Sequence, residues 1–261
     1  MTGNTVGIID LGTNTALLLI GQINPYGKIT ILNDEYAVVR LGSGVDSTRH
    51  ISVQAMDRAC ALLKLYAKTA QKFGVTNLIA WGTSAVRDAE NKDELIKRIY
   101  RTSRIHLHVL EALAEAKFTY FGATYGLKLP SRLIVIDIGG GSTEIACGTK
   151  SEITHKQSFN IGALRLSEQH KFNDLNDDSQ LREIRSKILK SMNSVNPLQK
   201  KDSLIAVSGT ALTIAALATG CRHIFDPILH GRYIKASFVK HCFEKYSHMT
   251  SKQLSNIPAI G

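Results

Sequence analysis

Apolar runs bounded by small polar residues recur along the chain, and two of them share one plan. Ile9-Asp10-Leu11-Gly12-Thr13-Asn14-Thr15 and Ile136-Asp137-Ile138-Gly139-Gly140-Gly141-Ser142 each set an Asp inside an apolar run. A Gly-led polar turn, a second apolar run and a closing Gly follow in both. The offset is 127 positions, and Asp10–Gly21 has the same spacing as Asp137–Gly148. Short apolar runs closed by turn residues read as buried strands, so each unit predicts strand, tight turn, strand. A repeat offset by about half the chain predicts two related lobes, residues 1–127 and 128–261. The boundary is placed near 126–132, where Gly126 and Pro130 punctuate the pattern.

The intervening patterns predict mixed α/β structure. Lys28–Leu32 and Tyr36–Leu41 read as two short strands. Ser52 is positioned to cap a helix with an apolar face through Ala55, Ala59, Leu62, Leu63, Tyr66 and Phe73, closed by Gly74. Asn91 followed by Glu94 resembles a capping box that opens a helix over Lys92–Thr102. Ile105–Leu110 alternates as a strand and Ala112–Tyr125 reads as a helix. Beyond them come an amphipathic helix over Ser179–Asn193 and a strand over Ser203–Val207. That strand runs into Ser208-Gly209-Thr210 and an alanine-rich helix, Ala211–Ala218. The polar stretch Asn173–Asp178 reads as a loop.

Composition narrows the class of protein. With 261 residues, 44% hydrophobic and 21% charged, the chain fits a soluble globular protein of two ordinary domains. No apolar run approaches the length that crosses a bilayer, and Asp10 interrupts the first apolar stretch, so no membrane partner and a cytoplasmic location are expected. Cys60, Cys147, Cys221 and Cys242 are scattered without a C-x-x-C pair and read as small buried hydrophobes. The nine histidines form no zinc-binding spacing. The net charge of +10 is uneven, with 18 Lys/Arg against 11 Asp/Glu in residues 125–261 and 14 against 11 before them. That excess is either an ordinary solvated surface or a field that gathers a polyanion. A nucleic-acid partner is not expected, because no helix-turn-helix, RNP or finger signature accompanies the charge.

The two Asp-turns suit phosphate. Glycines let backbone N–H groups approach phosphate oxygens, hydroxyls add donors, and an Asp before the turn can anchor hydrated Mg²⁺. One such turn is ordinary hairpin chemistry, whereas two at matching places would let phosphate be gripped from both sides. With Val207-Ser208-Gly209-Thr210-Ala211 they resemble the phosphate loops of the actin/Hsp70/sugar-kinase superfamily. The closer resemblance is to its exopolyphosphatase/guanosine-pentaphosphate phosphohydrolase (Ppx/GppA) family. Asp10–Thr15 is similar to that family's D-L-G-S-N-S opening, with Thr for both serines. Thr83-Ser84-Ala85-Val86-Arg87 matches its T-S-A-x-R segment, and Asp137–Glu144 reproduces D-I-G-G-G-S-T-E unchanged. Gly162–Leu166 matches G-A-x-R-L, and Leu229-His230-Gly231 matches a V/L-H-G segment.

The resemblance implies an α/β fold of two actin-like (ribonuclease H-like) lobes around a central cleft. It also implies hydrolysis of a terminal phosphoanhydride in inorganic polyphosphate or guanosine pentaphosphate, with polyphosphate or guanosine tetra- or pentaphosphate as the bound partner, and it leaves room for a homodimer. Glu115 falls on the family's general base. The family's I-S-G-x-E-E-A-R is here Leu110-Glu111-Ala112-Leu113-Ala114-Glu115-Ala116-Lys117, so Ala114 replaces the first Glu and Glu111-Ala112 the Ser-Gly. Asp10, Asp137 and Glu144 fall on Mg²⁺ ligands. Phosphate contacts fall on Gly12, Thr13, Asn14, Thr15, Arg87, Gly139, Gly140, Gly141, Ser142, Arg165, Ser208, Gly209 and Thr210. Family members continue beyond an L-P-G-x segment, which Ile257–Gly261 resembles, so the second lobe is expected to be incomplete at its C-terminus. Three other readings stand beside the hydrolase. They are a sensor that binds polyphosphate or (p)ppGpp without turnover, a small-molecule kinase of the superfamily, and a basic nucleic-acid-binding protein.

Overall fold

The computed structural model describes residues 4–127, 132–170, 178–195, 202–224 and 226–260. It divides into two compact units, Met1–Glu115 and Ala116–Gly261, each with its own sheet. The sequence-based loop over Asn173–Asp178 and the Pro130 part of the expected boundary lie almost wholly outside the described residues.

In the first unit, β1 (Asn4–Leu11), β2 (Thr15–Ile23), β3 (Ile29–Val38), β4 (Asn77–Gly82) and β5 (Leu107–Val109) form one sheet in the order β3-β2-β1-β4-β5. The first three strands pair antiparallel, whereas β4 and β5 run parallel to β1. Alternation sends Ile9, Leu11, Ala16, Leu18 and Ile20 into the core, where each is fully buried. Against them packs α2 (Val53–Lys72), whose buried Ala55, Met56, Ala59, Leu63 and Tyr66 recur at helical spacing. Full burial of each large side chain there contributes about 1.5–3 kcal/mol. Ser52 caps α2 by accepting the Ala55 N–H, and Gly74 ends it at φ +65°. The Tyr66 hydroxyl donates to the Ala16 carbonyl at 3.0 Å, tying α2 to the start of β2.

The first unit also contains α1 (Val45–Thr48), α3 (Ser84–Asp88) and α4 (Lys92–Ser103), and α5 (Ala112–Thr124) starts at its end. Two expectations are corrected here. The two short strands over 28–41 are one strand, β3: the polar Asn33-Asp34-Glu35 pair in register with Ile20, Leu19 and Leu18, and a bulge opposite Ile20/Gly21 leaves only Leu32 without a pairing partner. Asn91 makes no capping bond to α4. Its amide instead bridges both backbone groups of Ile51 at 2.9 Å, and Glu94 pairs with Arg98.

The second unit repeats the topology. Strands β6 (Leu133–Ile138), β7 (Thr143–Gly148), β8 (Ile153–Phe159) and β9 (Ser203–Val207) lie in the order β8-β7-β6-β9. As in β3-β2-β1-β4, β6–β7 and β7–β8 are antiparallel and β6–β9 is parallel. The repeat predicted two related lobes, and this shared plan is that of the actin-like, ribonuclease H-like lobe that the resemblance implies. β6 is apolar on both faces: Leu133 and Val135 pack with Tyr120 of α5, whereas Ile134 packs with Ile145, Phe159 and Ile161. The helices are α6 (Ala163–His170), α7 (Asp178–Ser191), α8 (Ser208–Thr219), α9 (Ala236–Tyr246) and α10 (Ser251–Ser255). Helix α8 starts three residues earlier than its alanine run, because Ser208 takes φ +72° and turns the chain directly from β9 into the helix. No helix of the described residues is long and apolar enough to cross a membrane.

Candidate active site

In both units the residues singled out by sequence collect at the carboxyl ends of parallel strands, where open α/β sheets carry their ligands. In the first unit these ends are Leu11, Gly82 and Val109. In the second they are Asp137–Ile138 and Val207.

The two turns are built alike, position for position. Gly12 N–H donates to the Thr15 carbonyl at 2.9 Å, and Gly139 N–H donates to the Ser142 carbonyl at 3.0 Å. The carbonyls between are then pulled back by a neighbouring segment. Gly42 N–H holds Thr13 O at 2.8 Å, while Val39 and Arg40 N–H both hold Asn14 O, at 2.9 and 2.8 Å. In the second turn Leu164 and Arg165 N–H hold Gly140 O at 2.9 and 3.0 Å, Ala163 N–H holds Gly139 O, and Arg165 Nε holds Gly141 O at 2.7 Å. A glycine permits each close approach. A Cβ on Gly42 would meet Thr13 Cγ2 at 2.3 Å, and one on Gly162 would meet the Gly140 carbonyl at 2.4 Å. With the carbonyls drawn back, the amides of Thr13 and Asn14, and of Gly140 and Gly141, donate to no backbone acceptor among the described residues. That is the electrostatic arrangement of an anion-binding turn.

The turns differ in their acids. Asp10, exposed at the end of β1, faces Leu17 across the β1–β2 pair. Asp137 faces Glu144 across the β6–β7 pair, and Glu144 is 3% exposed with one carboxylate oxygen accepting the Ser158 hydroxyl at 2.7 Å. Asp137 accepts hydrogen bonds from Ser208 Oγ and Thr119 Oγ1. Burial pushes its carboxyl up from the ordinary value, and the two hydroxyl donors pull the other way. Like charges directly opposite on paired strands call for a cation or a proton. Among the described residues no group of three or more His, Cys, Asp or Glu side chains gathers at metal-holding distances.

Arg87 and Glu115, 28 positions apart in sequence, are brought together. Arg87 Nη1 lies 3.0 Å from Glu115 Oε2 and 2.6 Å from the Leu110 carbonyl oxygen. The strand ends impose this placement: Leu110 N–H donates to Gly82 O, so the start of α5 lies beside the end of β4, from which α3 carries Arg87. Both side chains are largely buried, at 17% and 15% exposure. Arg87 Nε and Nη2 donate to no other described residue, which leaves one edge of the guanidinium for a ligand.

The remaining sequence-predicted residues all lie in the second unit. The hydroxyl of Ser208 is committed to Asp137 and the Nε of Arg165 to the Gly141 carbonyl, so each orders the second turn. Gly209 and Thr210 lie in the first turn of α8, and Gly209 O accepts from Thr213. Sequence reasoning missed Gly42, Arg40, Thr119 and Ser158. The glycine-punctuated run Arg40-Leu41-Gly42-Ser43-Gly44 was the available signal for the first two, and no local signal marks the others. Burial raises the Cys60, Cys147 and Cys242 thiols, away from nucleophilic thiolates.

Comparison with known proteins identifies the family. The chain is 32% identical over 217 residues to the bifunctional 3-dehydroquinate synthase/phosphatase of Fusobacterium nucleatum, a match covering 78% of this chain and 33% of that one. It is 32% identical over 166 residues to exopolyphosphatase 1 of Mycobacterium tuberculosis, covering 63% of this chain and 48% of that one. The chain thus spans a third to about half of the length of these curated relatives. A solved exopolyphosphatase from Cytophaga hutchinsonii superposes with a TM-score of 0.87 at 30% identity, over 99% of this chain and 84% of that one. The sequence profile of the Ppx/GppA phosphatase family matches residues 19–260, and the chain belongs to that family.

Proposed function

We propose that this chain hydrolyses the terminal phosphoanhydride bond of inorganic polyphosphate or guanosine pentaphosphate in a Mg²⁺-dependent reaction. The observation that carries the reading is the Arg87–Glu115 pair, a carboxylate oriented by a guanidinium whose second edge has no protein partner among the described residues. Relatives named exopolyphosphatase support polyphosphate as the substrate class.

In this reading the outward amides of the two turns and the open edge of Arg87 bind phosphate oxygens, offsetting charge as the bond cleaves. Glu115 orients a water in line with the terminal phosphorus and accepts its proton. The water oxygen bonds to phosphorus, and the bridging oxygen leaves with the electron pair of the broken bond. Asp137 and Glu144 are the carboxylates that would hold Mg²⁺, joined by Asp10 in the expectation from the family. Their oxygen donors fit a hard cation that binds through one or two carboxylates and shares its other positions with water and phosphate. Bound there, the ion would neutralise phosphate charge.

Release of phosphate from long-chain polyphosphate and from guanosine pentaphosphate, followed with and without Mg²⁺, tests the reading. A second reading, a sensor without turnover, is favoured by Ala114 in place of the family's first Glu, beside a Glu115 already paired to Arg87. Saturable binding without release selects the sensor, and release selects the hydrolase.

A further inference from the structure

Among the described residues four non-glycine residues adopt positive φ, and three have a local reason. Arg49 and Arg104 terminate α1 and α4, and Ser208 turns β9 into α8. Arg40, at φ +48°, ends no helix. Two successive N–H groups, those of Val39 and Arg40, converge on Asn14 O just before this left-handed residue redirects the chain. The segment is braced from behind, as Arg58 donates to the carbonyls of Val39 at 3.0 Å and Arg40 at 3.2 Å. Glycine would meet the backbone requirement at lower cost, yet an exposed arginine occupies the position. Backbone strain held this firmly beside a turn is a mark of function.

The matched turns supply the second observation. In the second unit the carbonyl equivalent to Asn14 O is that of Gly141, and a guanidinium, Arg165 Nε, holds it. In the first unit the backbone of Val39 and Arg40 does this work, so the Arg40 guanidinium is spared. It enters no ion pair and donates no hydrogen bond among the described residues. Arg87, at the same edge of the sheet, is tied to Glu115.

We propose that Arg40 is a phosphate-binding residue of the first turn, its guanidinium pairing with phosphate oxygens of a linear polyanion held at Gly12–Thr15. The proposal rests on the reading under Proposed function and adds a residue that the family motifs quoted above do not include. A planar guanidinium suits two oxygens of one phosphate, and the left-handed backbone fixes where the side chain departs.

The test uses the full chain, long-chain inorganic polyphosphate and binding measured over a series of NaCl concentrations. Arg40→Gly removes the cation and the strain together. It is expected to melt at or above the wild-type temperature, to bind about tenfold more weakly at low salt, and to lower the slope of log Kd against log salt by about one. Arg40→Lys is expected to keep the wild-type slope with weakened affinity. Wild-type affinity and slope in Arg40→Gly would overturn the proposal while leaving the proposed function standing. Weaker binding with a lowered melting temperature and an unchanged slope would also overturn it, making Arg40 a structural residue. A wild type that binds no polyphosphate would bring down both readings.

Discussion

Arg87 Nη1 donates to both Glu115 Oε2 and the Leu110 carbonyl, so the carboxylate at the first turn of α5 is set by a cation from α3. An acid held this way separates binding from chemistry. Glu115→Gln keeps an oxygen that accepts from Arg87 and removes the basicity. Turnover of polyphosphate is expected to fall by about 10²-fold or more, with Kd for the same ligand nearly unchanged. Phosphate release and equilibrium binding, measured on one preparation, check this. Equal rates for the two proteins would assign water activation to another group.

Asp137 makes the opposite prediction for stability. Its carboxyl value is raised by burial, so the folded state holds its proton more tightly than the unfolded state. Between the ordinary carboxylate value and the raised one, the folded state binds more protons, and stability falls as pH rises through that window. Above that window an ionised Asp137 opposite Glu144 is a cost in the absence of a cation. Asp137→Asn removes the charge and keeps an oxygen for Ser208 Oγ. In EDTA the variant is expected to melt higher by a few degrees, about 2–4 °C per kcal/mol for a chain near this size. Mg²⁺-dependent phosphate release is expected to be lost. Melting curves with EDTA and with Mg²⁺ decide it, and a lower EDTA melting point or intact turnover counts against the assignment.

What the sequence revealed was whatever is written locally. The strand–turn–strand units around Asp10 and Asp137 were legible because Asp, Gly and the closing Gly repeat at fixed spacing, and the structure gives both the same register and turn bond. Long-range choices were not legible. Asn91 looked like a cap from its neighbours, but its amide finds a better partner 40 positions away in Ile51. The two strand candidates over 28–41 fused because β2 offers a continuous partner that pairs even the polar Asn33-Asp34-Glu35. Ser208 and Asp137 meet across 71 positions because β9 pairs with β6, a choice that no spacing announces. Motifs picked out Arg87 and Glu115, but their meeting follows from Gly82 and Leu110 bonding at adjacent strand ends.

Tyr66 links the first core to alkaline pH. Its hydroxyl is buried, donates to Ala16 O, and has its pKa pushed up from 10.0 to about 12, mainly by burial and also by Glu35. Stability from the protonated phenol is fully present below pH 10 and is lost as pH rises toward 12. Tyr66→Phe keeps the ring and removes both the hydrogen bond and the titration. At neutral pH it should cost about 0.5–1.5 kcal/mol, and from pH 9 to 11.5 it should lose less stability than wild type. Urea unfolding of both proteins at the two pH values gives the comparison. Parallel losses would mean that other groups govern the alkaline limb.

Three glycine-to-alanine changes separate the roles that glycine plays in this fold. Gly122 lies inside α5 with nothing within 4 Å of an added Cβ, so Gly122→Ala should stabilise by about 1 kcal/mol through helix propensity. At Gly162 the same methyl would meet backbone, with Gly140 C and O at 2.4 Å and Gly141 N at 2.5 Å, so no rotamer change relieves it. The α6 segment must then withdraw from the second turn, weakening the bonds that hold the Gly139, Gly140 and Gly141 carbonyls back. At Gly42 the nearest atom is Thr13 Cγ2 at 2.3 Å, a side chain buried within the first turn beside Ala85. The expected order of stability is therefore Gly122→Ala above wild type, then Gly42→Ala, then Gly162→Ala, the last two losing about 1–3 kcal/mol as overpacked sites do. Phosphate affinity separates the cases further. If the backed-up carbonyls are what turn the amides outward, Gly42→Ala and Gly162→Ala should each weaken polyphosphate binding at temperatures where both remain folded, and Gly122→Ala should not. Undiminished binding in folded Gly162→Ala would show that the second turn keeps its amides outward without the α6 segment.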